Sequence, residues 1–179
     1  MTATSLGNSA AAVLGMVALG ARSGYEIRRA AELSLRFFWA LGPPQIYAEL
    51  SRLEAAGLVA GRDDSRGRRA RRRYEVTPAG RTALSRWATT RQPAPLELRD
   101  VLLLQLFFAD VADARDVTAL LSRIRERSVE ALAAFDERIV PAAAQTEQRG
   151  FQQPKLVAEF GVALHRFIVG WCEERLANG

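Results

Sequence analysis

Few side chains in this sequence could do chemistry, and most of those are arginines. The stretch RGRRARRR, Arg66 to Arg73, places six arginines in eight residues. Guanidinium groups stay charged and present a planar fork of donors, which suits phosphate oxygens and carboxylates. Material for other chemistry is sparse. One histidine, His165, and one cysteine, Cys172, leave nothing for a histidine triad, a multi-histidine zinc site or an intrachain disulfide. His165 reads as a packing or surface residue, with pH sensing the form any function would take. Cys172 reads as a small hydrophobe in a reducing cytosol; a redox role would need cations near it, and only Arg175 is close in helical spacing. Asp100, Asp110, Asp113 and Asp116 read as helix caps and wetted faces. No phosphate loop, metal motif or nucleophile elbow occurs, so no enzyme and no cofactor is expected.

The charge is unevenly spread. Residues 1–90 carry a balance of +7 and residues 91–179 a balance of −2, within a total of +5. An anionic partner is therefore expected for the first half only. Half the residues are apolar, enough for a core and against disorder. The apolar run Ala10–Ala21 has no Lys or Arg before it and is too short to span a membrane. A buried amphipathic helix is expected there, and no membrane partner.

The elements that must carry these residues follow from pattern. Asn8 and Ser9 are candidate caps for a helix to about Leu19. After the turn Gly20–Gly24 a second helix is expected from Tyr25 to about Leu35. Pro43 and Pro44 suit the first turn of a third helix, which Gly57 ends. Its Ile46, Leu50 and Leu53 fall on one apolar stripe. LVAGR and RRRYEV, joined by the polar loop DDSRGRRA, read as a β-hairpin. Thr77-Pro78 opens a further helix. RQPAP, Arg91 to Pro95, reads as a linker where the charge changes sign. Beyond it the chain reads as all helix: about Leu96–Ala109, about Ala112–Ile139, a loop over Pro141–Pro154, and a last helix.

Three helices followed by strand, basic hairpin and strand is the order of a winged helix-turn-helix. The fold expected is mainly α: a winged helix-turn-helix over residues 1–90, with a two-stranded basic wing, then an all-helical dimerisation and effector domain over 91–179. The arginine run then lies at the tip and return strand of the wing. Arg66, Arg68, Arg69, Arg71, Arg72 and Arg73 are the expected phosphate contacts, with only Asp63 and Asp64 near them to offset the charge. The third helix is expected in the major groove. Opposite its apolar stripe stand Pro44, Ala48, Ser51 and Ala55, flanked by Gln45, Tyr47 and Arg52. Gln45 suits adenine, Arg52 guanine or phosphate, and Ala48 a thymine methyl. Double-stranded DNA is the expected partner. The competing reading is a winged-helix interaction module whose arginines grip an acidic protein.

Three segments carry a resemblance: GMVALGARSGYEIRRA, PPQIYAELSRLEAAGLV and RRRYEVTPAGRTALSRW. They resemble the PadR family of bacterial transcriptional regulators. The matching pattern is Gly-Tyr-Glu-Ile at Gly24–Ile27, Ile-Tyr-x-x-Leu-x-x-Leu-x-x-x-Gly-Leu at Ile46–Leu58, and Tyr-x-x-Thr-x-x-Gly at Tyr74–Gly80. The resemblance implies a cytoplasmic DNA-binding regulator, usually a repressor, and a DNA contact at Tyr47; packing of Tyr47 against the first helix is the alternative. The family often has a small polar residue where Pro43-Pro44 stand, so this helix start is stiffer and offers fewer donors. RDVLLLQLFFAD and FIVGWCEERL resemble the helical C-terminal region of longer members, which implies a homodimer and, in some members, a response to phenolic acids or planar drugs.

The last helix supports that expectation by its own spacing. Leu156, Phe160, Leu164, Phe167 and Trp171 approach a heptad seam. With Leu103, Leu106 and Phe107 they form the expected dimerisation surface, implying a palindromic operator. Trp39, Phe160, Phe167 and Trp171 are the candidate pocket for a small aromatic effector; packing in the core is the competing use.

Overall fold

The structure is a computed structural model that describes residues 6–64, 71–89 and 97–178. The chain forms two compact units, Met1–Pro93 and Ala94–Gly179.

The first unit runs α1 (Asn8–Ala18), α2 (Gly24–Glu32), α3 (Pro43–Ala55), β1 (Val59–Asp64), β2 (Arg71–Val76) and α4 (Pro78–Ala88). The strands pair antiparallel, with Gly61 opposite Tyr74 and Asp63 opposite Arg72. The core gathers Val13, Leu14 and Val17 of α1, Ile27 of α2, the stripe Ile46, Leu50 and Leu53 of α3, and Val59 and Tyr74 of the hairpin. Each helix contributes one apolar face at helical spacing, so three helices close around a single centre.

The quoted sequence segments have local physical reasons. Ser23 caps α2 by accepting from the Glu26 N–H, while Glu26 accepts in return from the Arg22 N–H. A Cβ on Gly24 would overlap the Tyr47 ring, so glycine lets α3 approach the start of α2. Thr77 caps α4, accepting from the Gly80 N–H at 3.0 Å and donating to the Gly57 carbonyl at 2.8 Å. A Cβ on Gly80 would strike the Leu58 backbone. These contacts join wing to helix.

One cap differs from expectation. Gly7, not Asn8 or Ser9, is the N-cap of α1, and it makes no side-chain cap bond. The two polar side chains bond elsewhere: Asn8 Oδ1 accepts from Trp87 Nε1 at 3.3 Å, and Ser9 Oγ accepts from Gln45 Nε2 at 2.8 Å.

The second unit contains α5 (Val101–Phe107), a 3₁₀ turn (Ala109–Val111), α6 (Ala114–Ala134), a π turn (Phe135–Ile139), α7 (Val140–Glu147) and α8 (Gln153–Ala177). Asp100 caps α5 through the Leu102 N–H and pairs with Arg127 at 2.9 Å. The Pro141–Pro154 loop is a correction: α7 runs through its first half, and α8 already begins at Gln153. Proline is tolerated because Pro141 stands in the first turn of α7, just past the π turn, where its missing N–H costs no helical bond. Among the described residues no helix is long and apolar enough to cross a membrane. The expected linker Arg91–Pro95 lies outside the described residues.

Candidate nucleic-acid interface

The exposed face of α3 follows from its buried one. Ile46 and Leu50 have no exposed surface and Leu53 almost none, which turns Pro44, Gln45, Tyr47, Ala48, Ser51 and Arg52 to solvent. All six residues expected on the reading face are therefore brought together. Pro43 and Pro44 remove two backbone donors from the first turn, so polar reach falls to side chains.

Several of those side chains already have partners. Gln45 donates to Ser9, which fixes its amide beside the start of α1. Arg52 Nη1 pairs with Glu49 Oε1 at 3.1 Å. Ser51 Oγ donates to the Tyr47 carbonyl at 3.1 Å. The packing alternative for Tyr47 named the first helix; its ring instead lies against Gly24 of α2, while more than half of the residue remains exposed. A tyrosine so placed keeps exposed ring surface for a partner.

The wing stands next to this face on the same unit. Its return strand is pinned to the core, since Tyr74 is buried and its N–H bonds the Arg22 carbonyl at 2.8 Å. Burial also raises the Tyr74 hydroxyl above its ordinary pKa. Of the six expected wing contacts, Arg66, Arg68 and Arg69 lie outside the described residues, and Arg71 is described by its backbone only. Arg72 and Arg73 are described, and both are paired. Arg73 Nε donates to Asp64 Oδ2 at 2.7 Å. Arg72 donates to Asp63 and to Glu54, at the end of α3. The first of these acids is the one directly across the hairpin, as an alternating strand pair requires.

Glu54 is the residue that sequence reasoning missed. Its signal was present: it follows Leu53 on the edge of the apolar stripe, close to the point where Gly57 turns the chain into the wing. What the sequence does not reveal is that Arg72, 18 positions later, comes back to it.

On the C-terminal unit, α8 packs through small residues on α6, the π turn and α7. Ala158 and Cys172 are buried, and a Cβ on Gly161 would overlap the Phe135 ring, itself buried. Arg125 pairs with Glu173 at 2.7 Å along the same contact. The large residues of α8 point away. Phe160 is 67% and Phe167 68% exposed, and Leu156 and Leu164 are exposed too. Trp171, Leu103 and Leu106 are half-buried, while Phe107 is 77% exposed. An open groove of about 610 Å³ lies between α5 and α6, lined by Leu104, Phe108, Val111, Leu120 and Arg123 among others. The four residues expected to line an effector pocket divide between the units: Trp39 belongs to the first and Phe160, Phe167 and Trp171 to the second. None of them lines this groove.

His165 lies on α8 with its ring 5.8 Å from that of Phe135. Its Nδ1 is buried with no hydrogen-bond partner, and burial lowers its pKa, with Arg127 adding to the shift. Cys172 is also buried, which raises its thiol pKa above the ordinary value. Neither group is poised for nucleophilic or general-base chemistry.

Comparison with known proteins gives the same division of the chain. Residues 13–86 match the model of the transcriptional regulator PadR-like family. Residues 98–178 match the model named virulence activator alpha C-term. The negative transcriptional regulator PadR of Bacillus subtilis is 26% identical over 171 residues, covering 93% of this chain and 94% of that protein. A crystal structure of B. subtilis PadR in complex with operator DNA superposes with a TM-score of 0.77 at 23% identity, over 94% of this chain and 97% of that one. A structure of the same relative with p-coumaric acid superposes at 0.70 and 22% identity, over 94% and 93%.

Proposed function

Because this chain is a transcriptional regulator of the PadR type, we propose that it is a cytoplasmic repressor that binds a palindromic operator as a homodimer. The observation that carries this reading is the juxtaposition on one unit of an exposed α3 face and a basic wing hairpin. In this reading α3 enters the major groove with Pro44, Gln45, Tyr47, Ala48, Ser51 and Arg52 outward. The arginines near the wing tip, Arg66, Arg68, Arg69 and Arg71, meet phosphate. A helix start with two prolines reads bases sparsely, so phosphate contacts supply most of the affinity. Repression is supported by the name of the Bacillus relative.

The homodimer is supported by the apolar face of the C-terminal unit. Phe107, Leu156, Phe160, Leu164 and Phe167 stand in solvent on a protomer taken alone. Faces of this kind mark association surfaces. A small aromatic effector would pack against the same rings, and an effector pocket using Phe160, Phe167 and Trp171 would be completed by the partner copy. The relative solved with p-coumaric acid supports that chemical class.

The test is titration onto a duplex from the gene's own upstream region and onto a scrambled duplex, at two salt concentrations. If each wing places about three arginines on phosphate, a dimer displaces counterions from roughly six sites, and log K falls against log salt with a slope of about −5. Binding at least about a hundredfold tighter to one natural duplex than to the scrambled one is the expected result. A slope shallower than about −2 removes the wing from the interface.

A further inference from the structure

Glu54 on the last turn of α3 is not among the residues proposed to meet DNA, yet its carboxylate is held by three hydrogen bonds. Its Oε1 accepts from the Gly61 N–H at 3.1 Å and from Arg72 Nη2 at 2.6 Å. Its Oε2 accepts from Arg72 Nε at 3.1 Å. The third nitrogen of that guanidinium, Nη1, donates to Asp63 at 2.8 Å. One arginine therefore answers two carboxylates, and all three of its nitrogens bond to protein. The hydrogen bonds from Arg72 hold the Glu54 carboxyl below the usual carboxylate range, so it stays charged at neutral pH. The side chains are 28% and 43% exposed, so the bridge stands at the surface where DNA would arrive.

Position gives the bridge its meaning. α3 is the element that would read bases, and β2 carries arginines of the wing. Glu54 ties the end of the first to the start of the second. The glycine at position 61 leaves the room, since a Cβ there would overlap both the Glu54 carboxylate and Arg72 Nε. An arginine already paired with two carboxylates displaces no counterion from DNA, because its charge is neutralised within the protein.

We infer that Glu54 is a positioning residue that sets the specificity of DNA binding through Arg72. It withholds one arginine per protomer from phosphate and holds the wing at a set distance from the reading helix. Generic grip on any duplex is thereby limited, and binding depends more on a well-seated α3. The inference rests on the DNA-binding reading above.

The experiment uses the full chain, a duplex that the wild type selects from a random-sequence pool, and a scrambled duplex of equal length, between 50 and 200 mM salt. For Glu54→Gln, Arg72 keeps only its exposed surface pair with Asp63, a weak competitor, and becomes available to phosphate. Binding to the scrambled duplex tightens several-fold, and the salt slope steepens by about 2 for a dimer. Discrimination between the duplexes falls about fivefold or more. An unchanged slope with unchanged discrimination overturns the inference. Arg72→Gln is expected to leave the slope on the scrambled duplex as it was; a slope shallower by about 2 puts Arg72 on phosphate and overturns it as well. If Glu54→Gln fails to fold, Gly61→Ala displaces the same two flexible side-chain ends, and it should reproduce the steeper slope; the wild-type slope in Gly61→Ala counts against the inference. A wild type that selects no duplex from the pool sinks the DNA-binding reading and this inference together. A wild type that selects one, beside a Glu54→Gln variant that behaves identically, sinks this inference alone.

Discussion

The two units differ in how much apolar surface they leave uncovered, although Tyr25 and Phe38 of the first are exposed too. In the first, Val13, Leu14, Ile27, Ile46, Leu50 and Val59 are sealed from solvent, and what α3 shows outward is mostly small, polar or cationic. In the second, the buried cluster is Phe135, Ile139, Ala143 and Ala158. Residues as large as Phe135, with Phe107, Phe160 and Phe167 among them, remain outside. The N-terminal unit closes its own core; the C-terminal unit keeps apolar area in reserve for another surface. In the proposed function, affinity for an anion and affinity for a second copy fall on different units by the same rule of burial.

The sharpest test of that contrast compares truncations. Leu50→Ala empties a sealed site and is expected to cost about 2–5 kcal/mol of N-terminal unit stability, read by urea melts. An effect under about 1 kcal/mol would mean that the core of the first unit is less closed than its burial implies.

Next comes the exposed face. Phe160→Ala with Phe167→Ala removes four rings from a two-fold dimer. At about 1 kcal/mol each, the dimer dissociation constant should rise about 10³-fold, measured by analytical ultracentrifugation. DNA affinity should fall with it. If dimerisation is unchanged, the seam of α8 serves something else.

The smallest expected effect is the pH response of the second unit. The folded pKa of His165 is lowered by burial below its ordinary value of 6.5. As pH falls through that value, the unfolded chain takes up the proton first, and the folded state loses relative stability. The loss ends once the folded form is protonated too. Stability is therefore full above the ordinary value and declines below it. His165→Leu should flatten the dependence of the melting temperature between pH 7 and 5 relative to wild type; parallel curves would assign the acid sensitivity to other groups.

Much of this was legible in the chain. Ile46, Leu50 and Leu53 recur at the spacing of a helix face, so the inward side of α3, and with it the outward side, follows from periodicity alone. Thr77-Pro78 and Gly57 mark their helix ends because capping and φ preferences are local properties. The hairpin is legible for the same reason: two short runs are separated by residues that favour a turn. The Pro141–Pro154 loop was misread because proline normally stops a helix, whereas a π turn just before it moves Pro141 into a position that lacks a helical donor bond anyway.

Periodicity could not decide what each face touches. The spacing of Leu156, Phe160, Leu164, Phe167 and Trp171 shows that they share a stripe, but an apolar stripe looks the same whether it meets its own core or another chain. Only the packing of α8 on α6, the π turn and α7, with Ala158, Gly161 and Cys172 on its inner side, turns the large residues outward. The arginines show the same division. Their number and their place between two strands are sequence properties, set by composition and local turn chemistry. Which arginine is available to an anion depends on carboxylates brought near by folding, and Glu54 reaches Arg72 only because the hairpin folds back along α3. Local preference thus settles the elements, while contacts between residues distant in the chain settle which charges and which apolar faces remain free.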